Sequence, residues 1–279
     1  MKKTLLLIIL VLGIFQLPCV DAQQLKAISF NIHSNSNPKE DGKNTWHMRR
    51  NAVVNMINSE EPAIIGMQEA LLDQLTYIDK TFRNKYRRVG AGRDNGITRG
   101  EHTAIYYDRN ILELVGQSKT RWLSLTPQIV SKGWDSKVPR IITIAHFRVK
   151  ATGNEFFYFN THLETEGTVA HREEIKLIAK MIQELVPSNM PVILGGDMNS
   201  SIYNEEFQPL YDIDMEPARR IATRTDYRNT FNDFGNSDGA MNDHFIVRDI
   251  HVLRFKTLIK NFGASYISNH FPVEIIFTL

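Results

Sequence analysis

Short apolar runs alternate with amphipathic segments along most of the chain. Residues 46–58 carry apolar side chains near helical spacing, which predicts a helix with one buried face. The same spacing is stronger over residues 170–186, where Pro187 follows the end of the pattern. Residues 71–82 are predicted as a third helix.

Apolar and β-branched runs between these helices predict strands. Residues 151–154, Ala-Thr-Gly-Asn, join two of the runs and are typical of a hairpin turn. Hairpins mixed with crossover helices predict two sheets that pack together with helices outside them. The predicted strands are residues 25–32, 63–69, 103–108, 111–117, 141–150, 155–162, 190–196, 243–249, 250–258 and 272–279.

The amino terminus has the pattern of a secretory signal peptide. Two lysines precede an apolar run from Leu5 to Phe15, and small residues end at Ala22. The run is shorter than the roughly 20 residues that a membrane-spanning helix needs. We therefore expect residues 1–22 to be removed, leaving residues 23–279 as an exported periplasmic or extracellular domain without a transmembrane segment.

The composition limits how this domain is stabilised and what it binds. Cys19 is the only cysteine and lies in the predicted signal peptide, so the mature chain has to rely on a sizeable core and not on disulfides. The 33 basic and 31 acidic residues give a formal net charge of +2. Proteins that grip long nucleic acids usually have a larger basic excess, so a small phosphorylated ligand fits at least as well.

Polar side chains cluster where the predicted strands end. Taken singly, an Asp-x-Asn after a strand is usually a turn, and a lone histidine is usually a structural residue. Together and in this order they indicate an active site, because convergent sites are commonly built at the ends of strands on a rigid sheet. The residues are Asn31, Glu69, Asn160, His162, Asp197, Asn199, Asp243 and His270.

This ordered set resembles the endonuclease/exonuclease/phosphatase superfamily of deoxyribonuclease I-like proteins. The stretches GAGRDNG, GEHTAIYY, RWLSLTP and GWDSKVPRI resemble a narrower secreted bacterial branch. The resemblance covers essentially the whole of residues 23–279. It implies an α/β (α+β) fold, a four-layered α/β/β/α sandwich in which two mixed β-sheets pack face to face with helices outside.

The resemblance also implies a hydrolase that uses Mg²⁺ or Mn²⁺ to cleave a phosphodiester or phosphomonoester by in-line attack of activated water. Glu69 is the expected carboxylate ligand of the metal, because such ions prefer hard oxygen donors and usually take only one or two protein carboxylates. Asn31 and Asn269 are the other expected metal-side residues. Arg93 and Asn160 are expected to bind substrate, the arginine because a guanidinium matches two phosphate oxygens.

Catalytic roles follow from the same resemblance. Asp197 is expected to align or deprotonate the attacking water, and Asn199 to hold the phosphate or that aspartate. His162 and His270 are expected to flank the phosphate and give protons to oxygens that gain charge. By resemblance, the partners that orient these histidines are Glu101 for His162 and Asp243 for His270.

Asn269 departs from the family pattern, which usually has aspartate before this histidine. Asparagine removes a negative charge near the metal while keeping a carbonyl oxygen, so we expect weaker metal binding and an intact histidine. The other interpretation is a degenerate protein that binds a phosphorylated or glycan ligand without turnover.

The substrate class, the oligomeric state and the edge of the site can be given only as expectations from the sequence. Among phosphate-ester partners, the charge slightly favours a small molecule or phospholipid headgroup over nucleic acid, and we expect a monomer. Trp122, Trp134 and Arg140 are candidates either for the mouth of the site or for the core.

Overall fold

Two mixed β-sheets pack face to face at the centre of the structure. The computed structural model describes residues 23–279, so the predicted signal peptide lies outside the described residues. The strands are β1 Leu25–Asn31, β2 Ile64–Ala70, β3 Tyr86–Val89, β4 His102–Asp108, β5 Leu112–Leu114, β6 Lys119–Trp122, β7 Ile141–Val149, β8 Glu155–His162, β9 Val192–Asp197, β10 Glu216–Pro217, β11 Asp243–Arg248, β12 His251–Thr257 and β13 Val273–Thr278.

The first sheet has the order β12-β13-β1-β2-β4-β3, and the second has the order β10-β11-β9-β8-β7-β5, with β6 also pairing with β7. Each sheet contains one parallel pair, β1 with β2 and β8 with β9. The remaining pairs are antiparallel. A parallel pair aligns the carboxyl ends of its strands, and this alignment assembles the site described below.

The longer helices cover the outer face of each sheet. The helices are α1 Pro38–Asp41, α2 Trp46–Glu60, α3 Leu72–Phe82, α4 Thr168–Leu185, α5 Gln208–Tyr211 and α6 Ala218–Ile221. Buried residues of α2 and α3, such as Val53 and Ile78, pack on the first sheet. Buried residues of α4, such as Ile175 and Ile182, pack on the second.

A third apolar core, which includes Phe147, Phe156 and Phe277, fills the space between the sheets. The layers are therefore α/β/β/α, and the predicted sandwich is confirmed. The helix boundaries have local causes. Helix α2 ends where Glu61 adopts a left-handed backbone with φ 45° ahead of Pro62. Helix α4 begins where the Asp135 carboxylate accepts backbone N–H groups of its first turn, at 2.6 Å from Ala170 N.

Strands β3, β6 and β10 have no clear signal in the sequence. Each lies at a sheet edge, and β3 and β6 read YRRV and KTRW. Charged residues are typical of edge strands, because they oppose pairing with another chain, so these strands lack the apolar runs that reveal the central ones. No helix within residues 23–279 is long and apolar enough to cross a membrane.

Candidate active site

The residues of the motif meet at one edge of the two sheets. Asn31 ends β1, His162 ends β8 and Asp197 ends β9, so the parallel pairs bring these side chains to the same edge. Asp243 begins β11 and lies opposite Asp197 in the antiparallel register of β9 with β11. Residues that are far apart in the chain are thus held by central strands.

Asn31 links two carboxylates at the floor of the site. Its Nδ2 donates to Glu69 Oε1 and to Asp197 Oδ2, both at 2.9 Å. Its Oδ1 accepts the backbone N–H of His33 at 3.0 Å. The amide nitrogen therefore faces the carboxylates, so Asn31 orients them. Ligation of a metal by its carbonyl oxygen, as expected from the sequence, would require the amide to turn.

Glu69 lies at an irregularity in the first sheet. The register of β2 with β4 shifts between Met67 and Ala70, and Glu69 has a left-handed backbone with φ 60°. Such bulges re-aim side chains, and non-glycine residues in this region cluster at functional sites. The second carboxylate oxygen of Glu69, Oε2, accepts the N–H of Ser34 at 3.1 Å. The result is a fixed carboxylate that lines the cavity.

Asp197 lies between the two histidines. Its Oδ2 is 3.7 Å from Nε2 of His162 and 3.7 Å from Nε2 of His270. Its Oδ1 accepts the backbone N–H of Asn199 at 3.0 Å. Burial, and then the Asp243 carboxylate, raise the pKa of Asp197 to about 6. The group is therefore mostly ionised at neutral pH and is a stronger proton acceptor than an ordinary aspartate.

His270 is paired with Asp243 in a buried position. Its Nδ1 lies 2.8 Å from Asp243 Oδ2, so the structure contains the pair that the family resemblance implies. Burial alone would lower the pKa of His270, but the carboxylates of Asp243 and Asp197 outweigh it and raise the pKa to about 9. His270 is therefore an imidazolium at neutral pH, with Nε2 on the side of Asp197.

His162 differs from His270 in charge. Burial lowers the pKa of His162 well below its usual value, and the cations Arg140, His270 and Arg93 lower it further. A neutral imidazole has one N–H donor and one acceptor nitrogen. Of the two expected proton donors, only His270 is therefore charged at neutral pH, and His162 is suited to donating a hydrogen bond.

Glu101 binds Arg93 and not His162, which corrects the pairing implied by the resemblance. The distance from Arg93 Nη1 to Glu101 Oε2 is 2.5 Å. Burial, and then the charge of Glu69, raise the pKa of Glu101 to about 7 although Arg93 opposes the shift. A permanently charged guanidinium is a better partner for this carboxylate than the neutral imidazole of His162. Glu101 thus holds Arg93, and both side chains line the cavity.

Asn199 supports the aspartate, one of the two roles expected for it. It has a left-handed backbone with φ 51°. Besides the N–H that it gives to Asp197, its Nδ2 donates to the carbonyl of Leu163 at 2.9 Å. Asn199 thereby joins the ends of β8 and β9 at the cavity wall.

Asn269 also lines the cavity. Its Oδ1 lies 3.1 Å from Ser268 Oγ, whose single proton has a shorter contact, 2.7 Å, with the backbone oxygen of Asn31. Its backbone oxygen accepts N–H groups of Asn232 and Asp233, at 2.7 and 3.1 Å. These hydrogen bonds fix the backbone of the loop beside His270. The role of Asn269 in binding a metal stays a prediction.

Asn160 lies below the site and joins the two sheets. It is fully buried, and its Nδ2 donates to the carbonyls of Met67 and Ala104, both at 2.9 Å. Its Oδ1 accepts from Gln68 Nε2 at 2.7 Å. Gly66 permits this approach, since a Cβ there would lie 2.7 Å from Asn160 Oδ1. Asn160 is outside the cavity lining, so its role is structural and not the substrate contact expected from the sequence.

The cavity above these residues has a volume of about 510 Å³ and a partly basic wall of Arg93, Lys137 and Arg140. Arg140 is buried, and its Nε donates to Glu164 Oε2 at 3.2 Å. Ser136 Oγ donates to the same oxygen at 2.6 Å. Glu164 and Ser136 were not among the predicted site residues, although Glu164 follows the THL motif directly and Ser136 lies in the stretch GWDSKVPRI.

The two candidate tryptophans lie outside this cavity. Trp122 is buried, and its Nε1 donates to the backbone oxygen of Arg93 at 2.8 Å, so it supports the arginine loop. Trp134 lines a separate cavity between α4 and the loop that follows β6. Only Arg140 among the three candidates faces the catalytic cavity.

The oxygen atoms of the site fit a divalent cation. Asp197, Asp243 and His270 place ligand atoms within 4.8 Å of one another, the one such group of three found in the described residues. The imidazole of His270 is a poor ligand, because it is protonated and paired with Asp243. Asp243 Oδ1 is buried without a hydrogen-bond partner, and Glu69 and Asp197 supply further carboxylate oxygens. Hard ions such as Mg²⁺ and Mn²⁺ prefer this donor set.

The sandwich and its site define a class of phosphate-ester hydrolases, and the sequence comparison agrees. Residues 28–270 match the Endonuclease/Exonuclease/phosphatase family. The chain belongs to this family, whose members hydrolyse phosphate esters and depend on a divalent metal.

Similar proteins come from bacteria and a virus. A mannosyl-6-phosphatase from Bacteroides thetaiotaomicron is 30% identical, with a TM-score of 0.84 over 91% of this chain and all of its own. An endonuclease/exonuclease/phosphatase from Bacteroides vulgatus is 29% identical, with a TM-score of 0.85 over 92% of this chain and 99% of its own. An uncharacterized protein of Acanthamoeba polyphaga mimivirus is 25% identical and covers 91% of this chain and 100% of its own.

Proposed function

We propose that the protein is an exported Mg²⁺- or Mn²⁺-dependent phosphatase that removes phosphate from a phosphorylated sugar. The observation that best supports hydrolytic activity is the position of Asp197 Oδ2, which lies 3.7 Å from Nε2 of both His162 and His270. The cavity therefore contains a base, Asp197, a neutral hydrogen-bond donor, His162, and a cation, His270.

Each residue has a distinct task in this reaction. Asp197 takes a proton from the attacking water, and its raised pKa improves it as a base while leaving it mostly ionised at neutral pH. His270, which Asp243 keeps protonated, gives a proton to the leaving sugar oxygen as its bond to phosphorus breaks. His162 donates an N–H to a phosphate oxygen. Asn31 and Asn199 hold Asp197 in place through both of its oxygens.

The divalent ion, when bound, neutralises phosphate charge and polarises the bond to the leaving oxygen. Glu69 is the carboxylate that would hold it, with Asp243 Oδ1 and the Asn269 carbonyl as further oxygen donors near the same cavity. Mg²⁺ and Mn²⁺ both suit this site, because all of these donors are hard oxygens.

Three features support a sugar phosphate as the substrate class. The 30% identical mannosyl-6-phosphatase covers 91% of this chain. Arg93, Lys137 and Arg140 line the cavity, each beside a glutamate, and supply N–H donors for the oxygens of a phosphomonoester. The formal net charge of +2 offers little attraction for long nucleic acid.

A substrate panel tests this proposal. Purified protein spanning residues 23–279 is assayed with Mg²⁺ or Mn²⁺ on mannose 6-phosphate, glucose 6-phosphate, bis-p-nitrophenyl phosphate, inositol phosphates, sphingomyelin and plasmid DNA. We expect the highest kcat/KM on a hexose 6-phosphate and loss of activity in His162→Ala and Asp197→Ala. Preferred cleavage of plasmid DNA or sphingomyelin would refute the sugar-phosphate assignment. Parent activity equal to that of both variants with each metal would instead indicate a ligand-binding protein without turnover.

The proposed export has a separate test. The full chain is expressed, and the protein found outside the cytoplasm is examined by intact-mass measurement. We expect a mature chain that begins at Gln23. Retention of an uncleaved chain in the cytoplasm would contradict the export proposal and leave the catalytic proposal standing.

A further inference from the structure

We propose that Arg49, which lies outside the cavity, is a positioning residue for the reaction. Its guanidinium joins the segment that follows Asn31 to the segment that precedes His270. The inference rests on the proposed function and adds to it a residue that contacts neither substrate nor metal.

Arg49 lies on α2 and is 1% exposed. Its Nη1 donates to the backbone oxygens of Ile32, at 2.8 Å, and Ile267, at 2.7 Å. Its Nη2 donates to the backbone oxygen of His33 at 3.1 Å, and its Nε donates to that of Asn44 at 2.6 Å. One side chain therefore binds four carbonyls on three separate segments of the chain.

These segments carry opposite sides of the site. Ile32 follows Asn31, which holds the carboxylates of Glu69 and Asp197. Ile267 comes before the loop 268–270, which ends in His270. The distance between the carboxylates and the charged histidine therefore depends on how firmly these two segments are joined.

Ser268 forms a second link between the same segments. Its Oγ donates to the backbone oxygen of Asn31 at 2.7 Å and accepts the N–H of His270 at 3.3 Å. Ser268 lies in the loop next to His270, whereas Arg49 lies on α2 and joins the two segments from outside the cavity. Two independent links, Arg49 and Ser268, hold the segment after Asn31 to the segment before His270. We infer that the distance between these segments matters to the site.

The geometry requires the planar fork of arginine. A lysine has a single nitrogen, which cannot span carbonyls on three segments, although it would keep the positive charge. Reacting groups tolerate little displacement, since a shift of about 1 Å can cost roughly 10²-fold in rate. Arg49→Lys should therefore impair the chemical step more than the binding of substrate.

The experiment compares Arg49→Lys with Arg50→Lys, a matched change at the next position of α2. Arg50 contacts the ring of Tyr77, with 4.8 Å from its guanidinium carbon to the ring centroid. We measure kcat and KM on the best substrate of the panel, thermal unfolding, and the proton NMR signal of the His270 Nδ1–H, below the unfolding temperature of each variant. Arg49→Lys should lower kcat by at least about tenfold with KM within about threefold of the parent, and should shift the His270 signal. Arg50→Lys should change none of these.

The outcomes are distinguishable. A kcat for Arg49→Lys within twofold of the parent, or an equal loss in Arg50→Lys, overturns the inference. If Arg49→Lys fails to fold, Arg49→Gln replaces it, and an unchanged kcat and His270 signal in that variant overturn the inference. If the parent hydrolyses no phosphate ester, the proposed function fails, and the His270 signal still decides whether Arg49 positions the loop.

Discussion

Replacing Asp243 by asparagine should weaken the dependence of stability on pH above neutrality. The asparagine oxygen can still accept the Nδ1–H of His270, whose nitrogen lies 2.8 Å from the carboxylate. What the variant loses is the negative charge that, with Asp197, keeps His270 protonated against the effect of burial. The change therefore tests the ion pair separately from the hydrogen bond.

The size of the effect follows from the pKa. The pKa of His270 rises from 6.5 to about 9 in the folded protein. Since one pKa unit corresponds to about 1.4 kcal/mol, the protonated histidine contributes at most about 3 to 4 kcal/mol to the free energy of unfolding. A raised histidine pKa means that the full contribution is present below pH 6.5 and is lost as pH rises through about 9.

Urea denaturation at pH 6, 8 and 10, in buffers containing EDTA, measures this contribution. The parent should exceed Asp243→Asn in free energy of unfolding by the largest amount at pH 6 and by a much smaller amount at pH 10. Asp249→Asn, an exposed carboxylate just past the other end of β11, serves as the control. A difference between the parent and Asp243→Asn that stays constant from pH 6 to pH 10 would refute the assignment of a charged His270.

Three further predictions concern other parts of the site. Asn160→Ala removes the amide donors to two buried carbonyls and one of the three acceptors of Gln68 Nε2, so we expect a loss of about 3 kcal/mol or more in urea denaturation, and a loss below about 1 kcal/mol would contradict its role between the sheets. Asn269→Asp adds a carboxylate beside the metal-side oxygens and should lower the Mg²⁺ concentration for half-maximal activity; an unchanged metal titration would place this residue outside the metal shell. Burial raises the pKa of Glu174 to about 8, so its folded-state proton contributes stability that is lost as pH rises from about 4.5 to 8. Glu174→Gln should therefore gain stability relative to the parent across that interval in denaturation curves, and parallel curves would contradict the shift.

The central strands and long helices could be predicted because their apolar patterns coincide with burial. Helix α4, for example, buries Ile175, Ile178 and Ile182 on one face. The mixture of hairpins and crossover helices predicted two packed sheets with helices outside, and the family resemblance implied the same four-layered order. The edge strands β3, β6 and β10 could not be predicted, since they are short and lack an apolar run, whereas the edge strands β5 and β12 lie within the predicted runs 111–117 and 250–258.

The candidate site, like the fold, could be predicted only in part from the sequence. The order of motifs along the chain predicted which side chains meet, but not how deep each lies. Asn160 and His162 are two residues apart on β8 and point to the same face, so the sequence could not separate them. Two residues of strand correspond to about 7 Å, which places Asn160 among the buried carbonyls of the first sheet and His162 at the cavity.

The hydrogen-bond partners of the site residues also could not be predicted from the sequence. Glu101 meets Arg93 because the backbones of these two residues pair across their loop, at 3.0 Å from Arg93 N to Glu101 O. That pairing depends on loop geometry, for which the chain has no periodic signal. The bulge that turns Glu69 into the cavity is equally local.

Phosphate release from mannose 6-phosphate is the most direct test of the central claim, that Asp197 between two histidines drives metal-dependent hydrolysis. The rate is measured for the parent with Mg²⁺, after EDTA and after Mg²⁺ is restored, and for Asp197→Asn under the same conditions. We predict that EDTA abolishes the parent rate reversibly and that Asp197→Asn is slower by at least about 10²-fold, the usual contribution of a general base. An Asp197→Asn variant that hydrolyses this substrate at the parent rate would contradict the account.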